Sequence, residues 1–344
     1  MEIFESFQKL IEQDEIYLTN LLFGNGFSIN FGARFVYSNL FEEAKQFFEE
    51  QDEEMFKNLD TTNFEAVLRV LHTAIETNKI FEIEHSSIQD SYERIKLALI
   101  ETVKNVHPQS YEISPSDVND LRTTFRLFRK KVFTTNYGLL AYWALNKVRN
   151  EDRKVSDGFG FDADTRTIMY SAGPGISEDE NPVRLYHLHG SLHLYMNHDE
   201  IIKITTKFNP VGTIENSLLE TITDTYDMGY FPLYISEGTW KQKRNKILNN
   251  KYLRFCYSAL QNISDGLTIY GQSLDIENDK HIIDAIKKSG VSKVAYGIFD
   301  MDNKNKIIRE MVGVFEDSSV DLKFFDSRNF FDSLQSIEMD RIFG

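Results

Sequence analysis

Several features are scarce in this chain of 344 residues. It has one cysteine, Cys256, with only 6 prolines and 18 glycines. A single thiol can form neither an internal disulfide nor a zinc site built from cysteines, so no zinc is expected. The scarcity of proline and glycine argues against long disordered or low-complexity segments.

Long apolar runs are also lacking. The longest lies near Leu139 to Leu145, far short of the roughly 20 residues that cross a bilayer. The stretch from Met1 to Glu15 is acidic and amphipathic, without the basic and apolar regions of a secretory signal. We therefore expect a cytoplasmic protein that does not enter a membrane.

The chain has no overall excess of basic residues. Its 38 Lys and Arg stand against 53 Asp and Glu, which gives a net charge of −15. An acidic surface repels phosphate, so nucleic acid and anionic membranes are not expected as general partners. The one basic stretch is interpreted as the solvated face of a helix, with a polyanion site as the alternative: Lys241, Lys243, Arg244 and Lys246.

Apolar strand-like segments alternate with helical ones along much of the chain. Strands are predicted over Tyr17 to Phe23, Lys131 to Thr135, Val183 to Leu188, Leu267 to Tyr270, Val294 to Phe299 and Asp321 to Phe325. Helices are predicted over Leu139 to Arg149, Thr239 to Gln261, Asp279 to Lys288 and Asp326 to Phe343, and a loop over Asp157 to Asn181. The alternation predicts one α/β domain over residues 1–344, Rossmann-like, with a doubly wound, mostly parallel sheet.

Residues 41–131 have a different pattern. Their apolar residues recur at helical spacing in three stripes, Phe64 to Ile75, Ile88 to Val103 and Val118 to Phe128. Ser114, followed by Pro115, is typical of a helix start. This segment is predicted to be a helical insertion within the α/β domain.

A glycine turn follows the first predicted strand. It comprises Gly24, Asn25, Gly26, Phe27 and Ser28. Glycine lets backbone N–H groups approach a pyrophosphate, and a following helix adds a favourable dipole. Ile29 stands where dinucleotide-binding dehydrogenases have a third glycine. A tight turn without a ligand is therefore the alternative interpretation.

Two polar residues follow later strands. Asn136 comes after the run Val132 to Thr135, and its amide can fix ribose hydroxyls or an attacking water. His189 ends the run Leu185 to Leu188 and is suited to general-base chemistry. The alternatives are a turn-forming or capping asparagine and a structural histidine.

A metal site is a further possibility for the histidines. His187, His189 and His193 share parity and would lie on one face of a continuous strand, where they could bind a metal. Gly190 and Ser191 are expected to interrupt that strand, and no known ligand spacing is present. We therefore predict no metal site.

Two small-residue turns complete the set. Glu237-Gly238-Thr239 precedes a predicted helix, and Gly271-Gln272-Ser273 follows the strand ending at Tyr270. A ribose or adenine could rest against such turns, although each by itself is equally typical of a loop.

In their order along the chain these motifs resemble those of the sirtuin-like family, in particular its bacterial branch found in phage defence. The resemblance covers about residues 17–330, with residues 41–131 as the variable part. The family's Gly-Ala-Gly-x-Ser, Thr-x-Asn and His-Gly motifs correspond to the glycine turn, to Thr134-Thr135-Asn136-Tyr137 and to Leu188-His189-Gly190. Its Gly-Thr-Ser and late Gly-x-Ser turns correspond to Gly238-Thr239 and to Gly271-Gln272-Ser273.

The resemblance implies an NAD glycohydrolase that cleaves NAD, as its substrate, into nicotinamide and ADP-ribose. His189 would be the general base and Asn136 would position a hydroxyl or water. The remaining predicted residues would hold the dinucleotide: Gly24, Asn25, Gly26, Phe27, Ser28, Thr135, Gly238, Thr239, Gly271 and Ser273. A mobile loop with Arg34, Phe35 and Tyr37 would cover the nicotinamide.

The resemblance also implies a role and partners. Depletion of NAD on infection would stall the host cell before phage matures, as in abortive infection. A homo-oligomer and an activating protein, either an ATPase subunit or a phage protein, are expected. Gly138 replaces the Asp that usually follows the Asn-Tyr pair, so a ribose contact by that carboxylate would be lost or supplied elsewhere. The zinc ribbon of the deacylases needs four cysteines and this chain has one, so protein deacylation is not expected.

Three other functions compete with this one. A nicotinamide-linked dehydrogenase would leave Asn136 and His189 without a role. A metal-dependent hydrolase would use the histidine cluster. A catalytically silent sensor would bind NAD or ADP-ribose without turnover, which Gly138 would allow.

Overall fold

A computed structural model gives the fold, and it describes residues 4–31, 40–107, 109–149, 155–171, 183–208, 217–235 and 239–343. The strands, in chain order, are β1 (Phe4–Glu5), β2 (Asn20–Phe23), β3 (Lys131–Thr134), β4 (Val155–Ser156), β5 (Phe159–Asp162), β6 (Thr167–Tyr170), β7 (Val183–His187), β8 (Gly190–Asn197), β9 (Glu200–Lys203), β10 (Pro232–Tyr234), β11 (Ser264–Tyr270), β12 (Gly290–Ile298) and β13 (Asp321–Asp326).

The helices alternate with these strands. They are α1 (Phe7–Gln13), α2 (Asn25–Ile29), α3 (Leu40–Ala44), α4 (Glu50–Asn58), α5 (Phe64–Ile80), α6 (Ser86–Val106), α7 (Pro115–Leu127), α8 (Leu140–Arg149), α9 (Leu218–Asp227), α10 (Trp240–Asn249), α11 (Lys251–Gln261), α12 (Ile276–Lys288), α13 (Lys304–Phe315) and α14 (Phe330–Phe343). Among the described residues, no helix has the length and apolar character needed to cross a membrane.

Eight strands form the central sheet, in the order β1-β13-β12-β11-β2-β3-β7-β4. Every neighbouring pair is parallel. From β2 the chain adds β3 and then β7 on one side of β2. It later returns to the sheet with β11, which pairs with the other side of β2. The strand order therefore reverses between β2 and β11, which is where ligands of open parallel sheets bind. The predicted Rossmann-like α/β fold is confirmed.

Helices cover both faces of this sheet. Successive strand residues point to opposite faces, so Leu21 and Leu22 lie in different cores. The core around Leu21 includes apolar residues of α1, α7, α8 and α14, whereas the core around Leu22 includes residues of α10 to α13. Burial on both faces explains why these strands are near-continuous apolar runs.

A second, antiparallel sheet has the order β10-β8-β9-β6-β5. Leu192 and Ile202 of this sheet share a core with α3 to α6 and α9. The helices predicted within residues 41–131 are present, but the last of them, α7, packs on the central sheet.

Three sequence predictions need correction. The segment Asp157 to Asn181 was predicted to be a loop, but its described part contains the paired strands β5 and β6. The Gly, Asp and Thr residues of this segment are typical of turns, and they led to the wrong prediction. The helix predicted from Thr239 to Gln261 is divided at Asn250, whose side chain accepts hydrogen bonds from the backbone N–H groups that begin α11. The predicted first strand begins only at Asn20, because Glu15–Leu18 form a 3₁₀ turn.

Candidate functional site

The predicted motifs converge at the carboxyl edge of the central sheet. Gly24 follows β2, Thr135 follows β3, and Gly271 follows β11. Backbone hydrogen bonds join these segments, since Gly24 N–H donates to the Tyr270 carbonyl at 3.1 Å and Thr135 N–H donates to the Phe23 carbonyl at 3.2 Å. The glycine turn and the Gly271 turn thus adjoin the point at which the strand order reverses.

The glycines of the first turn are required by a close approach between two loops. A Cβ atom added to Gly26 would lie 2.6 Å from the Gly271 Cα, and one added to Gly24 would lie 2.1 Å from the Gln272 Oε1. Gly26 N–H donates to the Gly271 carbonyl at 2.9 Å. The Gly24 and Gly26 amides, predicted to hold pyrophosphate, therefore already have carbonyl acceptors.

The neighbours of these glycines have different environments. The Phe27 ring is fully buried and stacks on Phe23, so its contribution is to the core. Ser28 is buried beside Asn136. The Asn25 Oδ1 atom is buried and has no hydrogen-bond partner among the described residues.

Asn136 fastens the glycine turn to the end of β3. Its Nδ2 donates to the Gly24 carbonyl at 3.0 Å and to the Ser28 Oγ at 2.8 Å. Its backbone N–H bonds to the Thr134 Oγ1 at 3.0 Å. Both side-chain amide hydrogens are thus used, and Oδ1 is the atom that can accept a hydrogen bond from a hydroxyl or a water.

His189 lies in the turn between β7 and β8. Leu188 N–H donates to the Thr134 carbonyl at 2.9 Å, which places this turn beside the strand end that carries Asn136. Gly190 has a φ of +77°, and a Cβ there would meet the Leu233 carbonyl oxygen at 2.0 Å. The glycine after His189 is therefore needed by the backbone.

His281 of α12 is the immediate partner of His189. The two Nε2 atoms are 3.0 Å apart and the rings are stacked. Among the described residues, neither Nδ1 has a hydrogen-bond partner. The Nδ1 of His281 is buried, whereas His189 is 5% exposed. Nδ1 is therefore the His189 atom available to a ligand.

The two imidazoles are neutral at physiological pH. Burial, followed by the electrostatic effects of the neighbouring His281 and of Lys243, holds the pKa of His189 well below its usual value. Burial, with Lys243 and Arg244, lowers the pKa of His281 to about 3. His189 is therefore in the neutral form, which is the form that can accept a proton.

A chain of polar contacts connects the end of β3 with α10. Thr135 Oγ1 donates to the Gln272 Oε1 at 2.6 Å, and Gln272 Nε2 donates to the Asp279 Oδ2 at 2.7 Å. Lys243 lies 3.8 Å from the Asp279 Oδ1. Burial raises the pKa of Asp279, although Lys243 opposes this shift.

Lys243 does not lie on a solvated face, contrary to the interpretation of the basic stretch. Its exposure is 8%, whereas Lys241 and Arg244 of the same helix are exposed. The sequence placed Lys243 only within the basic stretch, and it did not indicate Asp279 or His281 as site residues, because their contacts join residues far apart in the chain.

The other predicted site residues lie nearer the surface. Gly271, with a φ of +63°, contacts the glycine turn. Ser273 is exposed and borders an open cleft of about 710 Å³ next to Tyr296 and Phe299. Thr239 is the exposed N-cap of α10. Gly238, and the predicted loop with Arg34, Phe35 and Tyr37, lie outside the described residues.

The histidine cluster is divided by the end of β7. His187 and His193 face each other, with ring centroids 5.4 Å apart, whereas His189 pairs with His281. In the part of the chain that the structure describes, no group of three or more His, Cys, Asp or Glu residues is placed to hold a metal ion.

Fold and site together define a Rossmann-type α/β protein with a neutral histidine pair at the carboxyl edge of its sheet. Residues 21–330 match the family described as a domain of unknown function, DUF4917, and the chain belongs to that family. No curated protein matches the chain.

Proposed function

We propose that this protein is an NAD glycohydrolase, which hydrolyses NAD to nicotinamide and ADP-ribose at the carboxyl edge of the central sheet. The observation that carries the proposal is His189, a neutral imidazole with one ring nitrogen free of partners among the described residues. It lies beside the strand end that bears Asn136 and the glycine turn.

The binding part of the proposal rests on topology. Ligands of open parallel sheets bind where the strand order reverses, and here that point adjoins both glycine turns. The resemblance to sirtuin-like motifs indicates that the ligand is a nicotinamide dinucleotide. Ser273 and Thr239, both exposed, are proposed to contact its adenosine part.

The chemical part requires a base and an oriented nucleophile. In the proposed step, water attacks C1′ of the nicotinamide ribose while the C–N bond breaks, and nicotinamide leaves with the electron pair of that bond. Nδ1 of His189 takes the proton of the water. Asn136 Oδ1 accepts a hydrogen bond that orients the water or a ribose hydroxyl.

His281 completes the proposed base. With Nδ1 of His189 as the acceptor, the proton of neutral His189 lies on Nε2 and is donated to the Nε2 of His281. This hydrogen bond fixes the ring orientation of His189.

The sirtuin-like resemblance extends the proposal to a biological role, which is depletion of NAD in phage defence. The protein would act there as an oligomer with an activating protein partner.

The proposal is tested by measuring nicotinamide release from NAD with the purified protein. His189→Gln keeps a side chain that can bond to His281 but removes the base, so release should fall by roughly 10²- to 10⁴-fold. The exposed His72 provides a matched control, since His72→Gln should release nicotinamide at the wild-type rate. Equal rates in the wild type and His189→Gln would show that His189 is not the base.

A further inference from the structure

Lys243 is a buried cation whose hydrogen-bonding capacity is unfilled. The residue is 8% exposed, and its ammonium can donate three hydrogen bonds. Among the described residues its one ionic partner is Asp279, at 3.8 Å, which is longer than a hydrogen bond. Burial of a charge without close partners is costly, so this position favours a ligand that brings an anion.

Asp279 does not depend on Lys243 for its hydrogen bonding. Its Oδ2 accepts a hydrogen bond from Gln272 at 2.7 Å, and Gln272 is held in turn by Thr135 at 2.6 Å. The carboxylate therefore keeps a donor if the Lys243 ammonium turns toward a ligand. The length of the ion pair and the hydrogen bond from Gln272 to Asp279 Oδ2 together leave Lys243 available.

The glycine turn creates the need for such a cation. The Gly24 and Gly26 amides donate to the Tyr270 and Gly271 carbonyls, so these two amides do not offer a pyrophosphate the hydrogen bonds that a glycine turn usually gives. Gln272 Oε1 occupies the space that a side chain on Gly24 would need, and Gln272 Nε2 donates to Asp279 Oδ2. Gln272 and Asp279 therefore lie between the glycine turn and Lys243.

We propose that Lys243 binds the pyrophosphate of the dinucleotide. The inference rests on the dinucleotide site of the proposed function, but it concerns binding and does not require that the bound dinucleotide be cleaved. Lys243 supplies the positive charge at a site whose two glycine amides are already used. Exposed Lys241, on the same helix, has no such role.

The test compares ADP-ribose, adenosine and inorganic phosphate as ligands of the full chain by isothermal titration calorimetry. Lys243→Met removes the charge and keeps most of the side-chain volume. It should weaken ADP-ribose binding by about 10- to 100-fold, because charge-assisted hydrogen bonds are lost. Adenosine binding should change by less than about twofold, and Lys241→Met should bind all three ligands as the wild type does.

Four results would overturn the inference. Two concern Lys243→Met: an unchanged affinity for ADP-ribose, or an equal weakening of adenosine binding, which would indicate a structural role. The other two concern the wild type: binding of inorganic phosphate but not of ADP-ribose, or no binding of ADP-ribose. If Lys243→Met does not fold, Lys243→Arg and Lys243→Gln replace it, and Arg should bind ADP-ribose at least about tenfold more tightly than Gln. ADP-ribose binding that depends on Lys243, without nicotinamide release, would refute the proposed reaction and leave this inference standing.

Discussion

At the scale of single residues, burial determines the protonation state of His189. A base acts in its neutral form, and burial holds the pKa of His189 well below 6.5. The protonated form therefore appears only at lower pH than for an ordinary histidine. We predict that kcat/KM for nicotinamide release stays level as pH falls from about 8 to about 6. A loss of activity centred near pH 6.5 would contradict a buried base.

Gly26 is a second residue whose role can be measured. An alanine Cβ would meet the Gly271 Cα at 2.6 Å, a contact between two backbones. We predict that Gly26→Ala lowers the free energy of unfolding by about 1–3 kcal/mol in urea denaturation. Gly313→Ala is the control, because no atom lies within 4 Å of its added Cβ and alanine favours helices by up to about 1 kcal/mol. Similar effects of the two substitutions would contradict the close approach of the loops.

The sequence could predict that Asn136, His189 and the glycine turn lie at strand ends, because each follows a recognisable apolar strand. It could not predict the partner of His189, since His281 is 92 positions away in the chain. It also could not show that the Gly24 and Gly26 amides bond to the β11 loop, because this depends on how two distant loops approach each other.

At the scale of secondary structure, the N-terminus of α10 has a measurable cap. Thr239 Oγ1 accepts a hydrogen bond from the Gln242 N–H at 3.4 Å, within a capping box. Thr239→Ala should lower the free energy of unfolding by about 0.5–2 kcal/mol, and Thr239→Ser should restore most of it. Titration of both variants with ADP-ribose tests the proposed adenosine contact. Unchanged stability in Thr239→Ala would show that the cap does not stabilise α10.

Parallel strands were easier to predict than antiparallel ones. In β3 the residues Val132 and Phe133 are both fully buried, so the strand appears as an apolar run. β5 and β6 are only partly buried and are joined by a polar turn, so their composition is typical of a loop. In β8 the buried Ser191 and His193 interrupt the apolar pattern.

At the scale of the whole molecule, buried neutral histidines make stability depend on pH. Burial lowers the pKa of His187 to about 4, from 6.5 for a free histidine. The unfolded chain therefore binds a proton at a pH where the folded protein does not. The stability that His187 contributes is full above pH 6.5 and is lost as pH falls toward 4, at up to about 1.4 kcal/mol per pH unit.

His187→Leu should remove this part of the pH dependence. Its ring nitrogens have no hydrogen-bond partners among the described residues, so the substitution breaks no described side-chain bond. Urea denaturation between about pH 7 and about pH 4 should show a shallower loss of stability than in the wild type. His72→Gln, at an exposed position, should leave the wild-type slope. An unchanged slope in His187→Leu would contradict the burial of a neutral imidazole.

The central claim is that the carboxyl edge of the sheet, where strand order reverses, is a site for NAD. Calorimetric titration of His189→Gln with NAD tests it most directly, because slow turnover leaves the dinucleotide intact during the measurement. The account predicts saturable binding of one NAD per chain, competed by ADP-ribose. Absence of binding by a folded His189→Gln protein, together with absence of ADP-ribose binding by the wild type, would contradict it.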